Sequence, residues 1–327
     1  MSCFHPNGML FADGKPGRFI GPLDSSKVKS FESNGWEVVP IPCGHCRGCR
    51  LDKSKYWADR MLLEFATERE DYPAKTALFL TLTYDEEHVP WVTCSDGVQR
   101  RNLDPSHPQL FLKRVRKFFW NTYHRKLRFY LCGEYGSHTF RPHYHMILFG
   151  ASLADFPDSF IYSTTSESGG VLYESPKLDS IWSYGACRFA VANYQTFCYV
   201  GRYVLKKQYC SDSGDDNFSY RGRCPVFQRQ SLKPGLGADY FTDFDGTKVF
   251  LSDGSDVHRI GIPRLVLEKI KLTNPELYDT IKAQRREIAR GYQALVAQTI
   301  DCDYFEYLKL QERTFAQKTK NLKRKDV

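Results

Sequence analysis

The sequence predicts an α+β fold, an antiparallel sheet with helices on one face in a split βαβ-like order. A loop-rich, cysteine-bearing N-terminal region precedes it and a helical C-terminal extension follows. Three observations predict this. Leu78 to Tyr84 alternates along one strand, with Leu78, Leu80, Leu82 and Tyr84 on one face and Phe79, Thr81 and Thr83 on the other. Residues 109–123 carry Leu110, Phe111, Val115, Phe118 and Phe119 at helical spacing. Two more strand patterns follow, 128–133 and 143–149, with Gly136-Ser137-His138 as turn chemistry between them.

The remaining elements follow in chain order. Residues 1–42 are rich in Gly and Pro with little periodicity and lead into Cys43-Gly44-His45-Cys46-Arg47-Gly48-Cys49. From Asp52, a plausible N-cap, to about Glu70, residues Trp57, Met61, Leu62 and Phe65 recur at helical spacing. A loop is expected over 90–108. Residues 151–180 are Ser-rich and locally acidic, which reads as an insertion or loop. Residues 193–207 read as a helix, 211–224 as a polar loop, and 241–251 with Asp245-Gly246 as a hairpin. From Pro263 onward the pattern is helical and ends in a basic tail. The expected division is 1–70, 71–258 and 259–327.

The chain has 327 residues and a net charge of +8. Hydrophobic residues at 42% and charged residues at 26% exclude wholesale disorder. Aromatics at 15% with a positive excess suit nucleic acid, because cations neutralise phosphates and rings stack on bases. The start lacks the basic and apolar regions of a signal peptide. The best apolar run, Ala77 to Leu82, is far short of the roughly 20 residues that span a bilayer. A cytosolic protein with no membrane partner is expected. Its 11 cysteines then point to reduced thiols and metal more than to disulfides.

Strand period two puts His143 and His145 on one face. Paired imidazoles in an apolar strand cost desolvation unless something uses them. If the preceding strand pairs antiparallel, Glu134 comes near as a third ligand. Two neutral nitrogens and a carboxylate suit Mn²⁺ or Mg²⁺ as a Lewis acid. On the helix over 193–207, Tyr199, Tyr203 and Lys206 share one face, opposite Tyr194, Phe197, Val200, Val204 and Leu205. Gly201 weakens that helix by roughly 1 kcal/mol, so a close approach of backbone or substrate is expected there. A tyrosine hydroxyl, with an ordinary pKa of about 10, needs phosphate polarisation and a nearby ammonium to act as nucleophile.

Cys43, Cys46 and Cys49 put three thiols within seven residues. Tetrahedral zinc needs a fourth ligand, and Cys3 lies in the same loop-rich region. An iron–sulfur cluster and unmetallated thiols are the alternatives. The remaining cysteines lack pair spacing and read as packing residues. From Lys113 to Arg128 there are seven Lys or Arg and no acid. Lys113, Arg114, Arg116 and Lys117 there, with Arg202 and Lys207, are candidate DNA contacts, as are Arg47, Arg50, Lys53 and Lys55 beside the cysteines.

His143-Tyr144-His145 resembles the His-hydrophobe-His motif of HUH endonucleases. Tyr199 and Tyr203 followed by Lys206 resemble their two-tyrosine nucleophile motif, and Phe79-Leu80-Thr81-Leu82-Thr83 their first motif. More narrowly, residues 1–240 resemble replication initiators of microviruses in the gokushovirus branch. That match rests on the segments Cys43–Arg50, Gly133-Glu134-Tyr135-Gly136 before Arg141-Pro142-His143, and Lys233-Pro234-Gly235-Leu236-Gly237. Similar initiators also carry a Cys near the start, which favours Cys3 as a ligand.

The resemblance implies rolling-circle initiation. Metal-dependent nicking of single-stranded or supercoiled phage origin DNA would leave a 5′-phosphotyrosyl link and a free 3′-hydroxyl, and a second tyrosine would allow rejoining. Tyr203, three residues before Lys206, is the expected first nucleophile. No Gly-x-x-x-x-Gly-Lys-Ser/Thr loop is present, so host helicase and DNA polymerase would be borrowed in the bacterial cytoplasm. An HUH transposase or plasmid relaxase, and a non-enzymatic zinc-stabilised DNA-binding protein, are the alternatives.

Overall fold

The computed structural model describes residues 3–12, 15–70, 73, 75–136, 139–164, 170–206, 220–240, 248–299 and 301–320. The chain divides into two compact units, one of residues 1–53 with 278–324 and one containing 54–277. These limits differ from those expected at 70/71 and 258/259.

The first unit begins with β1 (Asn7–Ala12), β2 (Lys15–Pro22), α1 (Ser25–Glu32) and β3 (Glu37–Ile41). The strands form an antiparallel sheet in the order β2-β1-β3. The described part of the region expected to be loop-rich, 1–42, thus holds three strands and a helix. Sheet hydrogen bonds organise a segment whose short, Gly-interrupted strands show no sustained periodicity. Helix α2 (Arg47–Ala66) starts five residues before Asp52, because the chain already turns helically at the cysteines, with Arg50 N–H donating to the Cys46 carbonyl at 3.0 Å.

The second unit is built on β4 (Ala77–Thr83), the short pair β5 (Trp91–Thr93) and β6 (Gln99–Arg101), α3 (Ser106–Tyr123), β7 (Arg128–Tyr135) and β8 (Pro142–Phe149). It continues through β9 (Phe160–Ser163), β10 (Leu172–Glu174), α4 (Pro176–Trp182), β11 (Cys187–Val191), α5 (Tyr194–Lys206) and β12 (Phe227–Gln230). β13 (Lys248–Ser252), β14 (Val257–Gly261) and α6 (Arg264–Thr273) complete it, whereas α7 (Pro275–Thr299), from Tyr278 on, and α8 (Tyr304–Lys320) belong to the first unit. The expected insertion over 151–180 contains two strands and a helix. The hairpin lies at β13–β14, later than the 241–251 expected; residues 241–247 lie outside the described residues.

Seven strands form one antiparallel sheet in the order β12-β7-β8-β4-β11-β10-β9. Helices cover both of its faces, which corrects the expectation of one. On the first face Leu80, Leu131, Met146 and Phe189 pack with Phe111, Val115 and Phe119 of α3 and Trp182 of α4. On the second, Trp57 of α2 meets Tyr130 at 5.3 Å and Phe197 of α5 meets Phe149 at 6.0 Å. The central strands are apolar on both sides, Phe79, Ile147 and Phe149 included, so each side needs cover. At one end of the second face, polar side chains gather around Thr81, Glu134, His143 and His145.

Candidate metal and nucleophile site

The register of three strands builds this end of the sheet. Glu134 on β7 stands opposite His143 on β8, and His145 stands between Cys132 on β7 and Thr81 on β4. Gly133 lets β7 lie flat there, because a Cβ would come within 2.8 Å of the Phe227 ring. The turn closes with Gly136 N–H donating to the Arg141 carbonyl at 3.0 Å. Glu134 Oε1 lies 2.9 Å from His143 Nε2 and 3.2 Å from His145 Nε2. The ligand atoms of all three residues fall within 4.8 Å of one another.

The outer nitrogens fix the rings. His143 Nδ1 lies 3.1 Å from the Arg141 carbonyl, which can only accept, so Nδ1 carries the proton. His145 Nδ1 lies 3.1 Å from Thr81 Oγ1. In neutral His143 the Nε2 lone pair therefore faces the Glu134 carboxylate at hydrogen-bond distance. Two acceptors do not sit so close unless a proton or a cation lies between them. The donor set thus fits a divalent ion held by Glu134, His143 and His145. Burial alone would raise the Glu134 pKa, but hydrogen bonds from His143 and His145 in their protonated form outweigh it and hold the carboxyl well below its usual range.

Helix α5 brings Tyr199 to this cluster. Its ring centroid is 5.5 Å from that of His145 and 5.8 Å from that of Phe79, edge-on to both, while Phe79 stacks on His145 at 5.5 Å. Three contacts fix α5. Asn193 Oδ1 accepts from Thr196 N–H at 3.0 Å, and Asp253 Oδ2, in the β13–β14 turn, accepts from Tyr194 N–H at 2.9 Å. Both satisfy amides that a helix start leaves open. Gly201 packs against α2, where a Cβ would lie 2.8 Å from the Ser54 carbonyl oxygen. The close approach expected at Gly201 is therefore to backbone. The side chains of Tyr203 and Lys206, and all of Lys207, lie outside the described residues.

Thr81 and Asp253 escaped the sequence reading as functional residues. Thr81 was legible from its place opposite the His-x-His strand, whereas no local pattern signals Asp253. The Lys233–Gly237 segment docks on α2, with Arg60 Nε donating to the Leu236 carbonyl at 2.9 Å and Gly237 N–H to Glu64 Oε2 at 2.7 Å.

The basic candidates on α3 are not gathered at the histidines, since α3 covers the other face. Lys113 and Lys117 are exposed. Arg114 ties α3 to α4 by donating to Ser183 Oγ at 2.6 Å. Arg116 donates to the Leu127 carbonyl at 3.3 Å. Arg202 is exposed on α5.

In the first unit Cys3, Cys43, Cys46 and Cys49 converge, with their sulfurs within 4.8 Å of one another. Cys3 and Cys46 are 3.9 Å apart, as are Cys43 and Cys49. Backbone N–H groups of Phe4, Cys43, Cys46 and Cys49 donate to these sulfurs at 3.3–3.5 Å. Burial pushes the Cys3 thiol up to about 11. Burial also opposes ionisation of Cys46, but N–H donors from Cys49 and Phe4 outweigh it and bring that thiol down to about 7. These four residues can hold a metal ion.

Among the described residues no helix is long and apolar enough to cross a membrane. No solved structure matches the chain. Residues 77–208 match the sequence model of a family of replication-associated proteins of the ORF2 type. The replication-associated protein ORF2 of Spiroplasma virus 4 is 28% identical over 257 residues, 76% of this chain and 74% of that protein. The replication-associated protein ORF4 of Chlamydia phage 1 is 30% identical over 248 residues, 73% of this chain and 57% of that protein. The replication-associated protein VP4 of Bdellovibrio phage phiMH2K is 29% identical over 262 residues, 76% of this chain and 74% of that protein. By these matches the chain is similar to the replication-associated proteins of microvirus phages.

Proposed function

We propose that the protein initiates rolling-circle replication by nicking and rejoining single-stranded phage origin DNA through a 5′-phosphotyrosyl intermediate. The observation that carries this reading is the Tyr199 ring beside His145, which shares the Glu134 carboxylate with His143. Tyr199, beside His145, takes the first cleavage in this reading, in place of the Tyr203 expected from its spacing to Lys206. Its hydroxyl gives up its proton to solvent and its oxygen attacks the scissile phosphorus. The bond from phosphorus to the 3′-oxygen breaks, and that oxygen takes a proton and leaves as a 3′-hydroxyl. The 5′-phosphate remains esterified to tyrosine, so rejoining needs no nucleotide hydrolysis.

Glu134, His143 and His145 would hold Mn²⁺ or Mg²⁺, which when bound would polarise a phosphate oxygen. Thr81 and the Arg141 carbonyl keep the histidine lone pairs turned inward. Tyr203 lies one turn beyond Tyr199, where it can serve the second cleavage, with Lys206 as the cation that stabilises developing charge. The 3′-hydroxyl primes a host DNA polymerase, behind a host helicase, in the bacterial cytoplasm.

The cysteine cluster would hold a structural Zn²⁺. Four thiolates about 2.3 Å from a tetrahedral ion are about 3.8 Å apart, which agrees with the two 3.9 Å separations. A four-iron cluster would interpose its own iron and sulfide and spread the thiolates further.

The test is incubation of purified protein with single-stranded origin DNA and Mn²⁺, followed by denaturing electrophoresis. A protein–DNA adduct at the 5′ end is expected. It should be absent for His143→Ala and for Tyr199→Phe combined with Tyr203→Phe. DNA binding without any adduct from the unaltered protein would leave a non-enzymatic DNA-binding protein.

A further inference from the structure

We propose that a basic groove at the end of β7 remote from Glu134 binds a stretch of single-stranded DNA, with phosphates on Arg116, Lys126 and Lys233 and a base stacked on Trp120. The inference rests on the reading that this protein handles single-stranded DNA, and it adds a second place where the strand is held. Arg128 at the groove and Glu134 at the metal site are six residues apart on β7, roughly 20 Å. The two places are therefore distinct.

The groove has a volume of about 780 Å³. Six of its lining side chains are Lys or Arg, and none is Asp or Glu. Acids stand behind some of these cations without entering the groove. Asp239 lies 2.8 Å from Arg69, Glu64 lies 2.7 Å from Arg128, and Asp155 pairs with Arg125. These pairs orient the guanidiniums, while Lys126 and Lys233 stand exposed at the groove. Arg116 lies beside them, and its pKa is lowered by burial and then by repulsion from Arg128. Concentrated like charge is unfavourable in the free protein and is relieved by a polyanion.

The second feature is aromatic and apolar. Trp120 is 52% exposed and Leu232 71% exposed at the same groove. Cations interleaved with an exposed indole match a phosphate backbone whose bases are free to stack. A duplex keeps its base faces paired and stacked and leaves Trp120 nothing to receive. The exposed indole therefore favours a single strand over a duplex, and nucleic acid over an acidic peptide.

The test is fluorescence anisotropy with a labelled 20-nucleotide oligothymidylate over a salt series. Compared are the full-length protein, Trp120→Ala, and Arg116→Ala combined with Lys126→Ala and Lys233→Ala. The triple variant should bind at least tenfold more weakly. Its salt slope should be shallower by about 2, from three lost phosphate contacts at about 0.7 each. Trp120→Ala should weaken oligothymidylate binding severalfold. Should the triple variant fail to fold, Lys233→Glu, at an exposed side chain, should weaken binding with circular dichroism unchanged.

Binding within twofold of the unaltered protein and an unchanged slope would overturn the proposal. So would tighter binding of a hairpin duplex, or equal displacement by polyglutamate with no effect of Trp120→Ala. Adduct formation separates this from the nicking reading. Groove-dependent binding without an adduct removes nicking and leaves the groove, whereas an adduct with groove-independent binding does the reverse.

Discussion

Thr81 and His145 face each other across β4 and β8, with Thr81 Oγ1 3.1 Å from His145 Nδ1. This contact couples a residue in the middle of a core strand to the ring that faces Tyr199. The other outer nitrogen, on His143, is held by a backbone carbonyl that no substitution removes. Thr81 is thus the side chain through which the imidazole orientation can be tested.

Thr81→Val keeps the branched shape and removes the hydroxyl. Outer partners of metal-bound histidines typically contribute 10–100-fold in affinity. Titration with Mn²⁺ should show weakening of about that size, with activity recovering at high Mn²⁺. An unchanged Mn²⁺ affinity would mean that Thr81 does not orient the ring.

Gly201 and Gly291 are both helical, and the space around them is opposite. A Cβ at Gly201 would meet the Ser54 carbonyl oxygen at 2.8 Å, whereas nothing lies within 4 Å at Gly291. Gly201→Ala should destabilise the protein by about 1–3 kcal/mol and lower adduct yield, because α5 must shift with Tyr199. Gly291→Ala should stabilise it by up to about 1 kcal/mol. Urea unfolding of the two variants checks both signs.

Asp253 links the β13–β14 turn to the start of α5. Burial would raise its pKa, but N–H donors from Asp256, Tyr194 and Ser255, and then His258, outweigh that and bring it from the ordinary 3.8 to about 2. A carboxyl depressed in the folded state stabilises above the unfolded value, and the contribution is lost as pH falls toward the folded value. Asp253→Asn should therefore cost about 1–2 kcal/mol at pH 7. The gap should narrow below about pH 4. Urea midpoints at pH 7 and pH 3 decide this, and a gap that widens in acid would contradict it.

The cysteine cluster predicts about one zinc per chain on elemental analysis. Cys49→Ser, or prolonged chelation, should release it and lower the melting temperature. Iron in the purified protein would contradict the zinc assignment.

The central strands were legible because Leu78 to Tyr84 and His143 to Phe149 carry their period in the chain itself. Glu134 was legible because a short turn fixes its register against His143. The second layer of helices was less so. Alternation in β4 shows leucines on one side, but burial of Phe79 on the other depends on α5, which is remote in sequence. Residues 1–42 show the same limit, because β1 is defined by its pairing with β3 more than by its own pattern. Asp253 lies 59 residues from the amide that it caps, so no local spacing could reveal it.

The central claim is that Tyr199 forms the covalent link. Trypsin separates the two tyrosines, since residues 189–202 and 203–206 fall in different peptides. The measurement is tandem mass spectrometry of the nuclease-trimmed adduct formed with single-stranded origin DNA and Mn²⁺. The account predicts the nucleotide mass on Tyr199 in peptide 189–202. A nucleotide found only on Tyr203, or on a residue outside α5, would contradict it.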